Sequence, residues 1–338
     1  MILAALLSLI AIDTPYTAQN VQYYNQDSSI HFAATLTIPK NKQKAPALIL
    51  VSGTGRQDRD GTMGGHKMFF VIADYLSRNG YAVLRVDDRG TGETTGKYED
   101  ATTEDFAKDV LSSISYLKTR KEIGKIGLIG HSEGGAAAYM AAAQSNDVSC
   151  MISLAGLATE GITALKQQNM AIVGSAPIVQ QTKDRYNAVN NILFDTVYRY
   201  AGAPDLETHI RTAYAAWKML DDEKMKKEGS LEPGKGHFFF PLESYIHQAT
   251  GAWYRYHIRF DPAPWLQKVK VPVLAINGDK DIMVDAVQNL GNYQRYTPHV
   301  QVITVKGLNH LFQHAPTEDF APEVLVQIKD WLNKQLPN

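Results

Sequence analysis

Short, continuous apolar runs alternate along this chain with longer stretches of helical character. A strand buried on both faces carries no polar alternation, so Ala-Leu-Ile-Leu-Val at 47–51 reads as a central strand ending near Ser52. Segments 81–86, 125–130 and 150–154 read the same way, and 271–277 and 300–305 add two strands near the C-terminus. Residues 21–24 and 30–38 lie either side of the turn Asn25-Gln26-Asp27-Ser28, which predicts an opening hairpin. Helices are expected in between. One covers about 66–78 and stops at Asn79-Gly80, and another opens at the capping-box pattern Thr102-x-x-Asp105 and runs to about 119. A third, rich in small residues, covers 132–145. The chain closes with a helix whose apolar positions Val324, Leu325, Ile328, Trp331 and Leu332 keep the helical period. Strands alternating with helices imply βαβ crossovers and a mostly parallel sheet. From 159 to 268 no strand stands out, and helical, aromatic-rich stretches take over (Tyr198, Tyr200, Tyr214, Trp217, Trp253, Tyr254, Tyr256). We therefore expect one α/β sheet domain, residues 21–158 with 269–338, interrupted by a helical insertion at 159–268.

Composition narrows the function classes. With 338 residues, 44% of them apolar, the chain can bury one large core or a core with a smaller insertion. Lys plus Arg number 34 against 35 Asp plus Glu, a net charge of −1, so the electrostatic footprint of a nucleic-acid binder or of a protein held on an anionic membrane is missing. The single cysteine, Cys150, excludes an intrachain disulfide and sits in an apolar run as a small buried hydrophobe. Residues 2–12 are almost wholly apolar, too short to span a bilayer and about as long as a signal-peptide core. No Lys or Arg precedes them and no clean Ala-x-Ala site follows. Two readings of segment 1–20 stand: a truncated signal peptide of an exported, periplasmic protein, or a hydrophobic helix docked on a cytoplasmic one. The first is slightly favoured. No stable membrane insertion is expected, and oligomeric state is not readable.

Chemistry concentrates at strand ends. Gly130-His131-Ser132-Glu133-Gly134 fits Gly-x-Ser-x-Gly between a buried strand and a helix, the context that makes this motif a nucleophile elbow. The turn holds Ser132 strained with its hydroxyl projecting from the sheet edge, and a Cβ on either glycine would collide with backbone. A serine needs a base and the base an orienting acid. His310, in Gly307-Leu308-Asn309-His310, follows the last strand and precedes the final helix. His314, four residues on, suggests a metal pair, but no third ligand accompanies it, and no metal is expected. Asp279, Asp281 and Asp285 lie just beyond the strand 271–277, where ligands and catalytic groups collect in open parallel sheets. The residues alone leave these three carboxylates in competition. An oxyanion hole needs a second amide besides that of Glu133, and Ser52-Gly53-Thr54-Gly55 follows the right strand, with Thr54 the first choice and Gly53 the alternative.

From about residue 21 onward the sequence resembles bacterial serine esterases of the α/β-hydrolase superfamily, a branch also similar to dienelactone-hydrolase and acyl-thioesterase proteins. Gly53-Thr54-Gly55-Arg56-Gln57-Asp58-Arg59-Asp60 resembles that branch's Gly-Ser-Gly-x-x-Asp-Arg-Asp loop, with Thr54 where Ser is commoner. Asp87-Asp88-Arg89-Gly90-Thr91-Gly92 is similar to the superfamily's Asp-x-Arg-Gly-x-Gly turn, and residues 253–262 resemble the end of its helical cap. Gly278-x-x-Asp281-x-x-Val284 matches the pattern that carries the family's catalytic acid, which singles out Asp281. The resemblance implies a mostly parallel eight-stranded sheet with helices on both faces and a helical cap. It also implies hydrolysis of small or medium carboxylic esters through a Ser132 acyl-enzyme, without metal or organic cofactor. Asp58, Arg59 and Arg89 are read either as substrate contacts or, preferably, as ion pairs holding two loops together.

Three other readings stand beside this one. A thioesterase or acyltransferase changes only the leaving group or the acceptor. An aminopeptidase needs an acidic residue such as Glu160 or Glu243 for the free amine. A non-catalytic binder has no chemical need for Ser, Asp and His together.

Overall fold

The computed structural model describes residues 14–228 and 241–337; the question of a signal remnant at 2–12 therefore lies outside the described residues. In chain order the elements are β1 (Tyr16–Tyr24), β2 (His31–Pro39), β3 (Ala45–Val51), a two-residue ribbon β4 (Thr62–Met63) and β5 (His66–Lys67), α1 (Met68–Arg78) and β6 (Ala82–Val86). There follow α2 (Thr103–Lys118), β7 (Ile123–His131), α3 (Glu133–Gln144) and β8 (Val148–Leu154). Five helices come next: α4 (Gly161–Ser175), α5 (Gln180–Tyr200), α6 (Leu206–Glu228), α7 (Leu242–Ala249) and α8 (Ala252–His257). The chain ends with α9 (Ala263–Leu266), β9 (Val273–Gly278), α10 (Ala286–Tyr296), β10 (Val300–Val305) and α11 (Pro322–Gln335).

Eight strands form one sheet in the order β1-β2-β6-β3-β7-β8-β9-β10. Only β2 runs against the rest, pairing antiparallel with both β1 and β6. Period-two burial divides each central strand between two cores: Ala47, Ile49 and Val51 of β3 face one, Leu48 and Leu50 the other. The first core is covered by α2, α3, α9 and α10, the second by α1 and α11. Val324, Leu325, Ile328, Trp331 and Leu332 of α11 are all buried, as their spacing requires.

Helix α2 opens with the expected reciprocal cap, the Thr102 side chain accepting from the Asp105 amide while Asp105 accepts from the Thr102 backbone. Strand β1 starts five residues earlier than the apolar pattern suggests. Its first half is mostly exposed, and pairing with 35–39 of β2, rather than burial, makes it a strand. Helices α5 to α8 pack on an apolar cluster of their own that includes Val189, Leu193, Val197, Ile210, Tyr254 and Ile258. These helices leave the sheet after β8 and return before β9, so they rise from the carboxyl ends of the parallel strands. Among the described residues, no helix is long and apolar enough to cross a membrane.

Candidate active site

The carboxyl ends of β3, β6, β7, β9 and β10 carry the polar residues singled out above. At the end of β7 Ser132 adopts φ 54° and ψ −123°, a region costly for a residue with a Cβ and kept only where the surroundings enforce it. The enforcement is visible in the flanking glycines. A Cβ on Gly130 would stand 2.2 Å from the Gly134 carbonyl oxygen, and one on Gly134 would stand 2.2 Å from that of Val51. Gly53 lies so close to the serine that its Cβ would be 2.9 Å from Ser132 Cβ.

His310 turns Nδ1 toward Asp281 Oδ2, 2.8 Å away. A carboxylate only accepts, so Nδ1 carries the hydrogen and Nε2 is the free ring nitrogen. The Asp281 side chain is fully covered, and its other oxygen accepts from the amides of Met283 (2.8 Å) and Val284 (2.9 Å). The two competing carboxylates are occupied elsewhere: Asp279 accepts from the Gly307 amide, and Asp285 caps α10 by accepting from the Gln288 amide. His314 pairs with Glu323 at the surface, 2.8 Å away.

His131 brings the serine turn and the histidine loop together. Its Nε2 donates to the His310 carbonyl at 3.0 Å, and the two ring centroids are 4.8 Å apart. Among the described residues no hydrogen bond joins Ser132 Oγ to His310. Such contacts commonly tighten only once substrate is bound. Burial, reinforced by the neighbouring His310, pushes the His131 pKa down to about 3, so this ring stays neutral at ordinary pH.

The amides of Thr54 and Glu133 donate to no acceptor among the described residues, which leaves both available beside the serine. The loop bearing Thr54 is pinned from behind. The Gly55 amide donates to Tyr98 Oη at 2.6 Å, and Asp88 accepts from the Ser52 hydroxyl and, at 2.8 Å, from the Gln57 amide. Burial first, with Asp109 and Glu133 adding, raises Asp88 to about 7. Arg59 grips Asp87 through two bonds of 3.1 and 2.6 Å, and Arg89 grips Asp109 through two of 2.8 and 2.7 Å. Asp58 accepts from the amides of Asp60 and Thr62 and from the Thr62 hydroxyl. Of the three, only Arg59 joins the two loops by an ion pair; Arg89 ties its loop to helix α2, and Asp58 bonds within its own turn. Glu243 is likewise bound to Arg211 by two bonds of 2.6 Å, and Glu160 is exposed at the start of α4.

Sequence reasoning passed over His131, Asp88, Tyr98 and the side chain of Glu133. The last is 1% exposed and accepts three hydrogen bonds: Thr54 Oγ1 (2.8 Å), Thr103 Oγ1 (2.7 Å) and Trp253 Nε1 (2.7 Å). Nothing in the periodicity marks these contacts; the only available signal was a charged residue at the variable position of the elbow motif.

A parallel sheet with one reversed strand, a strained serine between β7 and α3, and a histidine–carboxylate pair beyond β9 and β10 define an α/β-hydrolase. Residues 46–315 match the family described as the alpha/beta hydrolase fold, and the chain belongs to it. The curated Esterase EstD of Thermotoga maritima is 36% identical over 99 residues, 29% of this chain and 24% of that protein. An acyl transferase of Photorhabdus luminescens is 28% identical over 142 residues, 42% of this chain and 43% of its own length. The chain thus spans less than half of these curated relatives. Among solved structures, an esterase of Pyrococcus furiosus is 14% identical with a TM-score of 0.58, covering 95% of this chain and 92% of its own. Est1E of Butyrivibrio proteoclasticus, with ferulic acid bound, is 21% identical with a TM-score of 0.56, covering 94% of this chain and all of its own. These two likenesses speak for the fold.

Proposed function

We propose that this chain is a serine hydrolase that cleaves carboxylic esters of small or medium acyl groups through an acyl-enzyme on Ser132. The observation that carries the reading is the Asp281–His310 hydrogen bond of 2.8 Å, which leaves Nε2 free on the loop that His131 ties to the strained Ser132 turn. His310 takes the Ser132 proton as Oγ bonds to the ester carbonyl carbon. The amides of Glu133 and Thr54, with Gly53 as the alternative donor, hold the oxyanion, and Asp281 fixes the imidazole tautomer and stabilises the imidazolium. Collapse of the tetrahedral intermediate breaks the bond to the alkoxy group, which leaves as the alcohol with the proton from His310. Water then repeats the sequence on the acyl-enzyme and releases the acid. Residues 159–268 act as a cap over the core formed by 21–158 and 269–338, and the substrate is a small molecule.

The esterase relative and the esterase-like fold support hydrolysis. The acyl transferase relatives favour one second reading, transfer of the same acyl group to an acceptor other than water. Hydrolysis of p-nitrophenyl esters from acetate to palmitate, with Ser132→Ala beside the wild type, tests the first. Activity lost in the variant is expected, with an optimum at the shorter chains. Equal turnover by both proteins would overturn Ser132 as nucleophile. Release of p-nitrophenol that accelerates with an added alcohol or thiol, with the acylated acceptor as product, would point to transfer.

A further inference from the structure

We propose that the Glu133 carboxylate is a positioning residue that locks the two oxyanion-binding amides into one unit; the inference rests on the function proposed above and deepens it. Any residue but proline could supply the amide at position 133, since the donor is backbone. A buried carboxylate there is costly unless its oxygens are satisfied, and at Glu133 they are. Oε2 accepts from the hydroxyl of Thr54, and Oε1 accepts from Thr103 at the start of α2 and from Trp253 on α8.

The link to Thr54 joins the two amides by way of their own side chains. Thr54 stands between Gly53 and Gly55, and Gly55 has φ 96°, so its backbone has little conformational restraint of its own. The bonds to Ser52, Gly55 and Gln57 hold the loop to the segment that follows β6, through Asp88 and Tyr98. Among the described residues, only the Thr54 hydrogen bond refers the loop to the helix whose first amide is the partner donor. Trp253 then sets α8 against the same carboxylate, and its ring stacks on the buried His257 with centroids 4.6 Å apart. Oxyanion stabilisation depends on both donors meeting one point in space, so slack in this link is paid in turnover rather than in binding.

The test uses the full-length protein and p-nitrophenyl acetate, with Ser132→Ala as blank, and measures kcat and KM separately. Thr54→Val keeps shape and amide but removes the donor; Thr54→Ser keeps the donor; Glu133→Gln removes the charge at constant size. We expect Thr54→Val and Glu133→Gln each to lower kcat about 10- to 100-fold with KM within about twofold of wild type. Thr54→Ser should remain within about threefold of the wild type, and the double variant should fall no further than the worse single one. A Thr54→Val enzyme with wild-type kcat, a loss confined to KM, a Thr54→Ser enzyme as impaired as Thr54→Val, or additive losses would each overturn the proposal. Thr54→Val sits on a loop and stays informative if Glu133→Gln fails to fold. A wild type as inert as Ser132→Ala would instead remove the esterase reading, and this inference with it.

Discussion

Replacing His131 by glutamine should make the protein less sensitive to acid. The ring is 2% exposed, and burial first, then the neighbouring His310, move its pKa from 6.5 down to about 3. The His310 carbonyl and the Asp281 charge act the other way but lose. Between 6.5 and about 3 the unfolded chain carries a proton on this ring that the folded protein does not. The stability is therefore whole above the unfolded value and is lost as the pH falls toward the folded one. Each pH unit inside that window is worth about 1.4 kcal/mol. Taking the wild type from about pH 7.5 to about 4.5 crosses roughly two of those units, a loss on the order of 2.7 kcal/mol through this residue alone. Glutamine does not titrate and can still donate to the His310 carbonyl. Urea unfolding of both proteins at the two pH values, followed by tryptophan fluorescence and far-UV circular dichroism, measures the difference. The wild type should lose about 2 to 3 kcal/mol more than the variant. His257, also lowered by burial, titrates in both proteins and cancels. Equal losses would refute the reasoning, because His131 would then accept its proton without unfolding.

Other substitutions have signs of their own. Gly134→Ala places a Cβ within 2.2 Å and 2.4 Å of the Val51 and Ser52 carbonyl oxygens, where no side chain can step aside. It should cost about 3 kcal/mol or more, read as a lower melting temperature. In Gly174→Ala, inside α4, the new methyl meets nothing within 4 Å, so the same assay should show a gain of about 0.5 to 1 kcal/mol. Asp88, raised by burial from 3.8 to about 7, costs stability as the pH climbs between those values. Asp88→Asn should therefore stabilise the fold by about 2 kcal/mol more at pH 8 than at pH 5, allowing for the water that still reaches the residue; a pH-independent difference in urea unfolding would count against it. On the proposed mechanism, Asp281→Asn should lower kcat for p-nitrophenyl acetate by roughly three to four orders of magnitude while the far-UV spectrum is unchanged, because an amide can hold the wrong imidazole tautomer.

Much of the sheet was legible because its central strands are apolar on both faces. β3, β7, β8 and β9 carry buried side chains toward both cores, and a continuous run such as Ala-Leu-Ile-Leu-Val has no other stable use in a chain of this composition. Strand β10 was found to the residue even though it is only part-buried at the sheet edge, since Val-Gln-Val-Ile-Thr-Val is rich in β-branched residues. The first half of β1 was not found. Thr17, Ala18, Gln19 and Asn20 are exposed, and their conformation comes from the register with 35–38 of β2, information held in a partner strand. The ribbon of β4 and β5, two residues each, has no period to detect.

The site divides along the same line. Ser132 and His310 can be singled out from a short motif and their places beyond strand ends, whereas Asp281 stands out from Asp279 and Asp285 only through a family pattern; the structure brings Asp281 and His310 into hydrogen-bond contact. The contacts that hold them belong to side chains distant in sequence: His131 meets His310 across 179 positions, Trp253 meets Glu133 across 120, and Thr54 meets Glu133 across 79. A motif records which residue types a turn requires. It does not record why a buried glutamate follows the serine, since the amide it contributes is common to every residue but proline. That reason exists only after β3 and β7 pair in parallel, bringing the loop after one beside the helix after the other. The helices after β8 also reach this end of the sheet. Trp253 reaches Glu133 on one side, while Gln168, on α4, reaches the Met283 carbonyl beside Asp281 on the other. These two contacts tie α8 to the residue after Ser132 and α4 to the segment after Asp281, so on the proposed mechanism substitutions in α4 or α8 should alter turnover without touching a reacting atom.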